Sequence, residues 1–271
     1  MSFLLQPLTY EFMQRGLLAS VIVGVLCAVM GTYVVLRGMA FLGDAMAHAI
    51  LPGVAIAYIL KGDLLVGAGA AAIAVALTIG LFSKEGAVKE DTAIGILFAA
   101  ALSLGVALIS TMQTYAVDLS HILFGNVLGV SPSDLWLIGG LSAAILCTVA
   151  LLYKPFLVIS FDPVLAATLR LPAELLRNLM LVLLALTVVV SLQTVGVSLA
   201  AAMLVTPAAT AYLLTRRLLP MMLVSALIGA LSSMIGLYLS YYFNIVSGSA
   251  IVLTATAFFL IGFGWKRLRR T

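Results

Sequence analysis

The chain reads as an all-α polytopic membrane protein, a single domain over residues 1–271 with about nine transmembrane helices. Three observations predict this. Apolar residues, counted with Tyr, Trp and Cys, make up 64% of the sequence and charged residues only 9%, whereas a soluble domain uses about a quarter charged residues to cover its exterior. Uncharged runs such as 64–82 and 135–153, each 19 residues long, match the roughly 20 apolar residues that carry a helix across a hydrocarbon core. Finally, 12 of the 14 Lys and Arg residues fall on one side once the runs are threaded in alternation.

The expected spans are 16–36, 45–60, 64–82, 92–111, 135–153, 178–193, 196–215, 218–242 and 247–265. The first runs up to Arg37, and the second ends at the polar triplet Lys61, Gly62 and Asp63. The third stops before Lys84, and the fourth opens on Glu90, Asp91 and Thr92, where negative groups favour a helix start. The fifth closes at Lys154. The last four come from two long uncharged stretches, 38 residues between Arg177 and Arg216 and 48 between Arg217 and Lys266. Each has room for two helices and a tight hairpin, with tips at 193–196 and 243–248, where Gly and polar residues break the apolar pattern. If one short segment does not cross, eight spans result.

Lys and Arg concentrate in cytoplasmic loops. With the C-terminus inside, Arg37, Lys84, Lys89, Lys154, Arg170, Arg177, Arg216, Arg217, Lys266, Arg267, Arg269 and Arg270 share the inner face, and Arg15 and Lys61 lie outside. Nine spans then put the N-terminus outside. The net charge of +4 is thereby a topology signal, and no nucleic acid is expected as a partner. Cys27 and Cys147 sit in apolar runs without metal-ligand spacing. No basic leader is visible in the first 14 residues.

Two stretches depart from simple crossing. Residues 115–134 read as an external re-entrant segment, since irregular backbone at membrane depth is tolerated only against protein. Residues 154–177 form the longest inner loop. Within it Asp162 as N-cap and Pro163 at the first helical position open a short helix over Val164, Leu165, Ala166, Ala167, Thr168, Leu169 and Arg170, with Pro172 as its stop. It is either an interfacial connector or a docking helix for a soluble partner.

Chemistry concentrates at Asp44 and His48. They are i and i+4 and leave one helix face together, and ionisable residues inside a membrane segment usually face a pathway. Pro52 cannot bond the His48 carbonyl, which adds a third potential ligand. The plainer alternative is a capping Asp and a histidine that satisfies a nearby carbonyl. Asp118 and His121 repeat the pairing at i, i+3 in the external segment, as the mouth of a pathway or as headgroup-level caps. Thr206, Pro207 and Thr210 mark a kink or exposed carbonyls, while Gly67, Gly69 and Gly229 with Ser233 read as small packing faces. No phosphate-loop, zinc-protease, nucleophile-elbow or dinucleotide motif occurs. The chain is therefore not expected to be an enzyme, and any pumping needs energy from another polypeptide.

Several blocks, in order along nearly the whole chain, resemble the integral-membrane permease of bacterial ABC importers for manganese, zinc or iron. They are Phe12 to Gly16, Leu36 to Ala49 with Gly43-Asp44-Ala45-Met46-Ala47-His48 at its centre, Glu90 to Ile96, Asp118 to Gly125, Phe161-Asp162-Pro163, and Thr206 to Ala211. The resemblance implies the fold of iron-siderophore and cobalamin importer permeases, located in the bacterial cytoplasmic membrane. It also implies a second permease copy, two cytoplasmic ATP-binding subunits and an extracytoplasmic metal-binding protein. Asp44 and His48 then match the family's metal-pathway motif, and Val164 to Arg170 the loop that inserts into an ATPase groove. No cofactor is expected to be held permanently; Mn²⁺, Zn²⁺ or Fe²⁺ is the cargo, with manganese favoured by the likeness. From the residues alone, a proton- or ion-coupled secondary carrier working alone, with Asp44 and His48 as proton relay, is the competing expectation.

Overall fold

The computed structural model describes residues 6–84, 88–111, 127–161 and 163–268. Among these no strand occurs. The α-helices in chain order are α1 Glu11–Leu36, α2 Leu42–Ala49, α3 Leu51–Ile59, α4 Leu64–Phe82, α5 Glu90–Ser110, α6 Pro132–Leu151, α7 Tyr153–Phe161, α8 Pro163–Thr168, α9 Ala173–Val195, α10 Val197–Leu214, α11 Leu218–Phe243 and α12 Ser247–Leu268. Eight segments are long and apolar enough to cross a membrane: α1, α2 with α3, α4, α5, α6, α9, α11 and α12. The ninth expected span is α10, whose apolar stretch Leu199–Leu214 is shorter and lies among α1, α2, α11 and α12.

Local chemistry sets the helix ends. Asp63 accepts from the amides of Leu65 and Val66 at the start of α4. Ser131 and Asp134 exchange hydrogen bonds at the start of α6, so Asp134 opens that helix and does not belong to the external segment. α1 ends in a left-handed turn at Gly38 (φ +69°), with the Met39 amide donating to the Val34 carbonyl at 3.0 Å. α9 and α10 join through Gly196 alone, at φ +79°, a backbone state that a side chain disfavours.

The structure corrects three sequence expectations. The second span is not continuous: it breaks at Ile50 into α2 and α3, because Pro52 is accommodated in the first turn of a new helix. Residues 154–177 are not mainly loop, since α7 fills 153–161. Pro155 sits in its first turn, where no intrahelical N–H is required. α8 stops at Arg170, whose φ of +53° lets the Leu171 amide reach the Ala166 carbonyl at 3.0 Å; Pro172 instead precedes α9.

α1 is the axis of the bundle. Two-thirds of its apolar window (67%) is buried inside the protein, as is that of α2–α3 and of α9, against 17% for α5, whose apolar surface the rest of the described chain leaves largely uncovered. Water gives little drive for helices to associate within lipid, so close contact must come from small residues and local hydrogen bonds. Gly24 of α1 faces Gly229 and Ser233 of α11, and the Ser225 hydroxyl donates to the Ala28 carbonyl at 2.8 Å. Gly53 of α3 and Gly67 of α4 oppose one another in the same way, and at both a Cβ would meet the other's backbone. Gly69, by contrast, borders open space.

One end of the bundle is tied by charge. Arg37, just past α1, donates to both carboxylate oxygens of Glu90 at 2.6 and 2.7 Å. Arg177 of α9 donates to the carbonyls of Ser83 and Gly80 at 3.2 and 3.0 Å, and its Nε lies 3.8 Å from Glu90. Burial pulls the Arg37 guanidinium below its ordinary pKa; Glu90 opposes this and Arg177 adds to it. The ends of α1 and α4 and the starts of α5 and α9 therefore lie on one face, as the alternating thread of the positive residues requires.

Replacing Glu90 by Gln leaves two arginines with 13% and 19% side-chain exposure facing each other. This is expected to cost about 3 kcal/mol, read by thermal unfolding in detergent. Removing the exposed Lys84–Glu174 pair, 3.5 Å apart, should cost less than about 1 kcal/mol. Gly229→Val, which drives side-chain atoms into Gly24 and Ala28, is expected to lose about 2 kcal/mol by the same measurement, while Gly69→Ala stays within about 0.5 kcal/mol.

Candidate functional site

α2 is an eight-residue helix whose packing leaves one stripe uncovered. Of residues 42–51 only Asp44 and His48 are not buried, their side chains being 44% and 27% exposed. The remaining positions are taken up by contacts with α10, α5 and α9. Gly43 lets α10 approach, since a Cβ there would lie 3.3 Å from Ala201 Cα and 3.0 Å from Leu204 Cδ2. The i, i+4 spacing that paired the two residues in the sequence is thus realised on a helix held fast on its other sides.

His48 Nε2 lies 3.8 Å from Asp44 Oδ1. Two ligand atoms each about 2.1 Å from one ion can be at most about 4.2 Å apart, so a single cation fits between them without helix movement. Phe98 of α5 sets the imidazole plane. Its ring meets His48 edge-on at 5.8 Å between centroids, and Phe41 braces it at 5.3 Å. The His48 Nδ1 atom is buried and has no hydrogen-bond partner among the described residues. Packing therefore orients the ring, in place of the hydrogen-bonded carboxylate or carbonyl that holds most metal-binding histidines.

The His48 carbonyl, expected to be freed by Pro52, receives the Ile50 amide at the helix break. Among the described residues no cluster of three or more His, Cys, Asp or Glu is placed to hold a metal. This chain thus offers one carboxylate and one imidazole here, open on one side. Asp118 and His121 lie outside the described residues, as does Asp162. In α10 the Thr210 hydroxyl donates to the Thr206 carbonyl at 2.8 Å, and the helix runs through Pro207.

The second feature is α8. Ala166 is fully buried and seats the helix, while Val164, Leu165 and Leu169 expose 77%, 42% and 55% of their surfaces. The Thr168 hydroxyl turns back to the Val164 carbonyl at 3.0 Å, so Val164, Leu165 and Leu169 project as an apolar set beside the exposed Arg170. Sequence reading missed the role of Phe98, because an aromatic in an apolar span gives no sign of which neighbour it meets. It also read Glu90 only as a charge at a helix start, since the partner Arg37 is 53 residues away.

The chain is similar to known proteins along nearly its whole length. The manganese transport system membrane protein MntC of Listeria monocytogenes is 48% identical over 263 residues, covering 97% of this chain and 94% of that protein. The solved structure of PsaBC from Streptococcus pneumoniae in complex with Fab contains a chain 41% identical, with a TM-score of 0.85 over 97% of this chain and 94% of that one. A metal-chelate type ABC transporter in an inward-facing conformation matches at a TM-score of 0.73 over 95% of this chain and 87% of that one. At 16% identity that likeness is one of fold alone. The ABC 3 transport family model matches residues 9–266, and the chain belongs to the ABC 3 transport family.

Proposed function

We propose that this chain is the permease subunit of an ABC importer in the bacterial cytoplasmic membrane, carrying a divalent transition-metal ion into the cytoplasm, manganese in preference to zinc or iron. The observation that carries the reading is the Asp44–His48 pair, open on one side of an otherwise buried helix and 3.8 Å apart. The MntC relative, named for manganese transport, supports that metal.

A transport site must admit an ion and release it. One carboxylate and one imidazole hold an ion incompletely, and a second permease copy related by a two-fold axis would supply the other half, giving up to four oxygen and nitrogen ligands. The unpartnered Nδ1 suits release. Metal-binding histidines lose about 10- to 100-fold in affinity when the group behind them is removed, and here that group is absent among the described residues. ATP is hydrolysed by separate cytoplasmic subunits that grip α8 and the turn after it through the exposed Val164, Leu165 and Leu169, and an extracytoplasmic metal-binding protein delivers the ion. Asp118 and His121 are proposed as the external mouth.

In the reconstituted complex, Asp44→Ala and His48→Ala are each expected to lower manganese uptake by at least about tenfold at unchanged expression. Uptake equal to wild type in both would remove this site from the pathway. Phe98→Ala frees the imidazole and is expected to raise the half-saturating manganese concentration several-fold while the ATPase subunits remain bound. Val164→Asp combined with Leu169→Asp should do the reverse, abolishing copurification of the ATPase subunit and leaving the Asp44–His48 pair intact.

A further inference from the structure

At the ends of α10 and α12 lies a pocket of about 650 Å³, lined by Tyr212, Leu214, Thr215, Arg216, Trp265 and Lys266. No acidic side chain lines it. Arg217 and Arg267 adjoin it in the chain, and among the described residues no ion pair involves any of these four cations. Nor does Arg216 or Lys266 donate to the helix-end carbonyls there, which Thr215 reaches instead by donating to Ala211 at 2.7 Å. Arg217 caps α11, whose first turn contains no acidic residue, so the positive end of a 26-residue helix adds to the same field.

The surroundings identify the level. Tyr212 and Trp265 are 53% and 55% exposed, as amphipathic rings are at a membrane–water interface. Further along α12 the outward side chains are Leu253, Leu260 and Ile261, each more than 60% exposed and apolar. A ligand seated here has its anionic group among cations and its apolar portion along a lipid-facing helix. A soluble protein surface would not match that second half.

We infer that this pocket is a binding site for the phosphate of an anionic phospholipid, on the cytoplasmic side by the charge bias of the loops. Each Lys or Arg near a membrane surface contributes enough attraction to an anionic lipid that removing two weakens binding roughly thirtyfold.

The test is native mass spectrometry of the full chain taken from vesicles of phosphatidylglycerol or, separately, phosphatidylethanolamine. Wild type is expected to retain phosphatidylglycerol and not phosphatidylethanolamine. Arg216→Gln with Lys266→Gln should retain about thirtyfold less, while the charge-conserving Arg216→Lys with Lys266→Arg, and the remote Lys61→Gln with Lys154→Gln, should retain it as wild type does. Equal loss in the remote variant would mean diffuse attraction and overturn the site, as would equal retention of phosphatidylethanolamine. Displacement by millimolar inorganic phosphate would replace the lipid by free phosphate as the ligand. Loss of the ATPase subunit with phosphatidylglycerol retention unchanged would make the pocket a protein contact and overturn the proposal.

Discussion

Hydrocarbon offers no hydrogen-bond partner to a peptide group, so every backbone amide and carbonyl at depth must be satisfied within the chain. This constraint makes the protein helical from end to end among its described residues, and it makes each interruption costly. The breaks that do occur have local remedies. Pro52 is set into the first turn of a new helix, and Gly196 and Gly38 adopt positive φ where the chain must turn.

Helices in lipid gain little from expelling water, so their positions depend on how closely they can approach. The facing glycines of α1 and α11, and of α3 and α4, fix those two contacts. The Arg37–Glu90–Arg177 cluster fixes the depth of four helix ends relative to one another. These contacts act together on the metal-pathway candidate. α5 begins at Glu90, and Phe98, two turns further along, leans on His48. The ion pair and the imidazole are thus linked through one rigid helix, and the packed faces of α2 leave only its Asp44–His48 stripe uncovered.

Much of the fold was legible in composition. Runs of 19 uncharged residues are a property of local sequence, and they marked the long apolar helices, though the second span breaks at Ile50 and α10 is shorter than the rest. The Asp44–His48 pair was legible for the same reason, since four residues make one helical turn and neither side chain belongs in an apolar helix without cause. The short helix after Asp162 was expected in outline, though its stop was assigned to Pro172. The stop is a left-handed Arg170, and an arginine carries no visible preference for that conformation.

Sequence by itself determined that this chain crosses a membrane many times and which two ionisable residues share a helical stripe, because each depends on residues a few positions apart. Tertiary structure alone decided what surrounds that stripe. Phe98 is 50 residues from His48, and Glu90 is 53 from Arg37. Their meeting depends on the angles and depths at which separate helices pack, which no local periodicity records. The same holds for the open side of the pair: exposure at one stripe is defined by everything that covers the others.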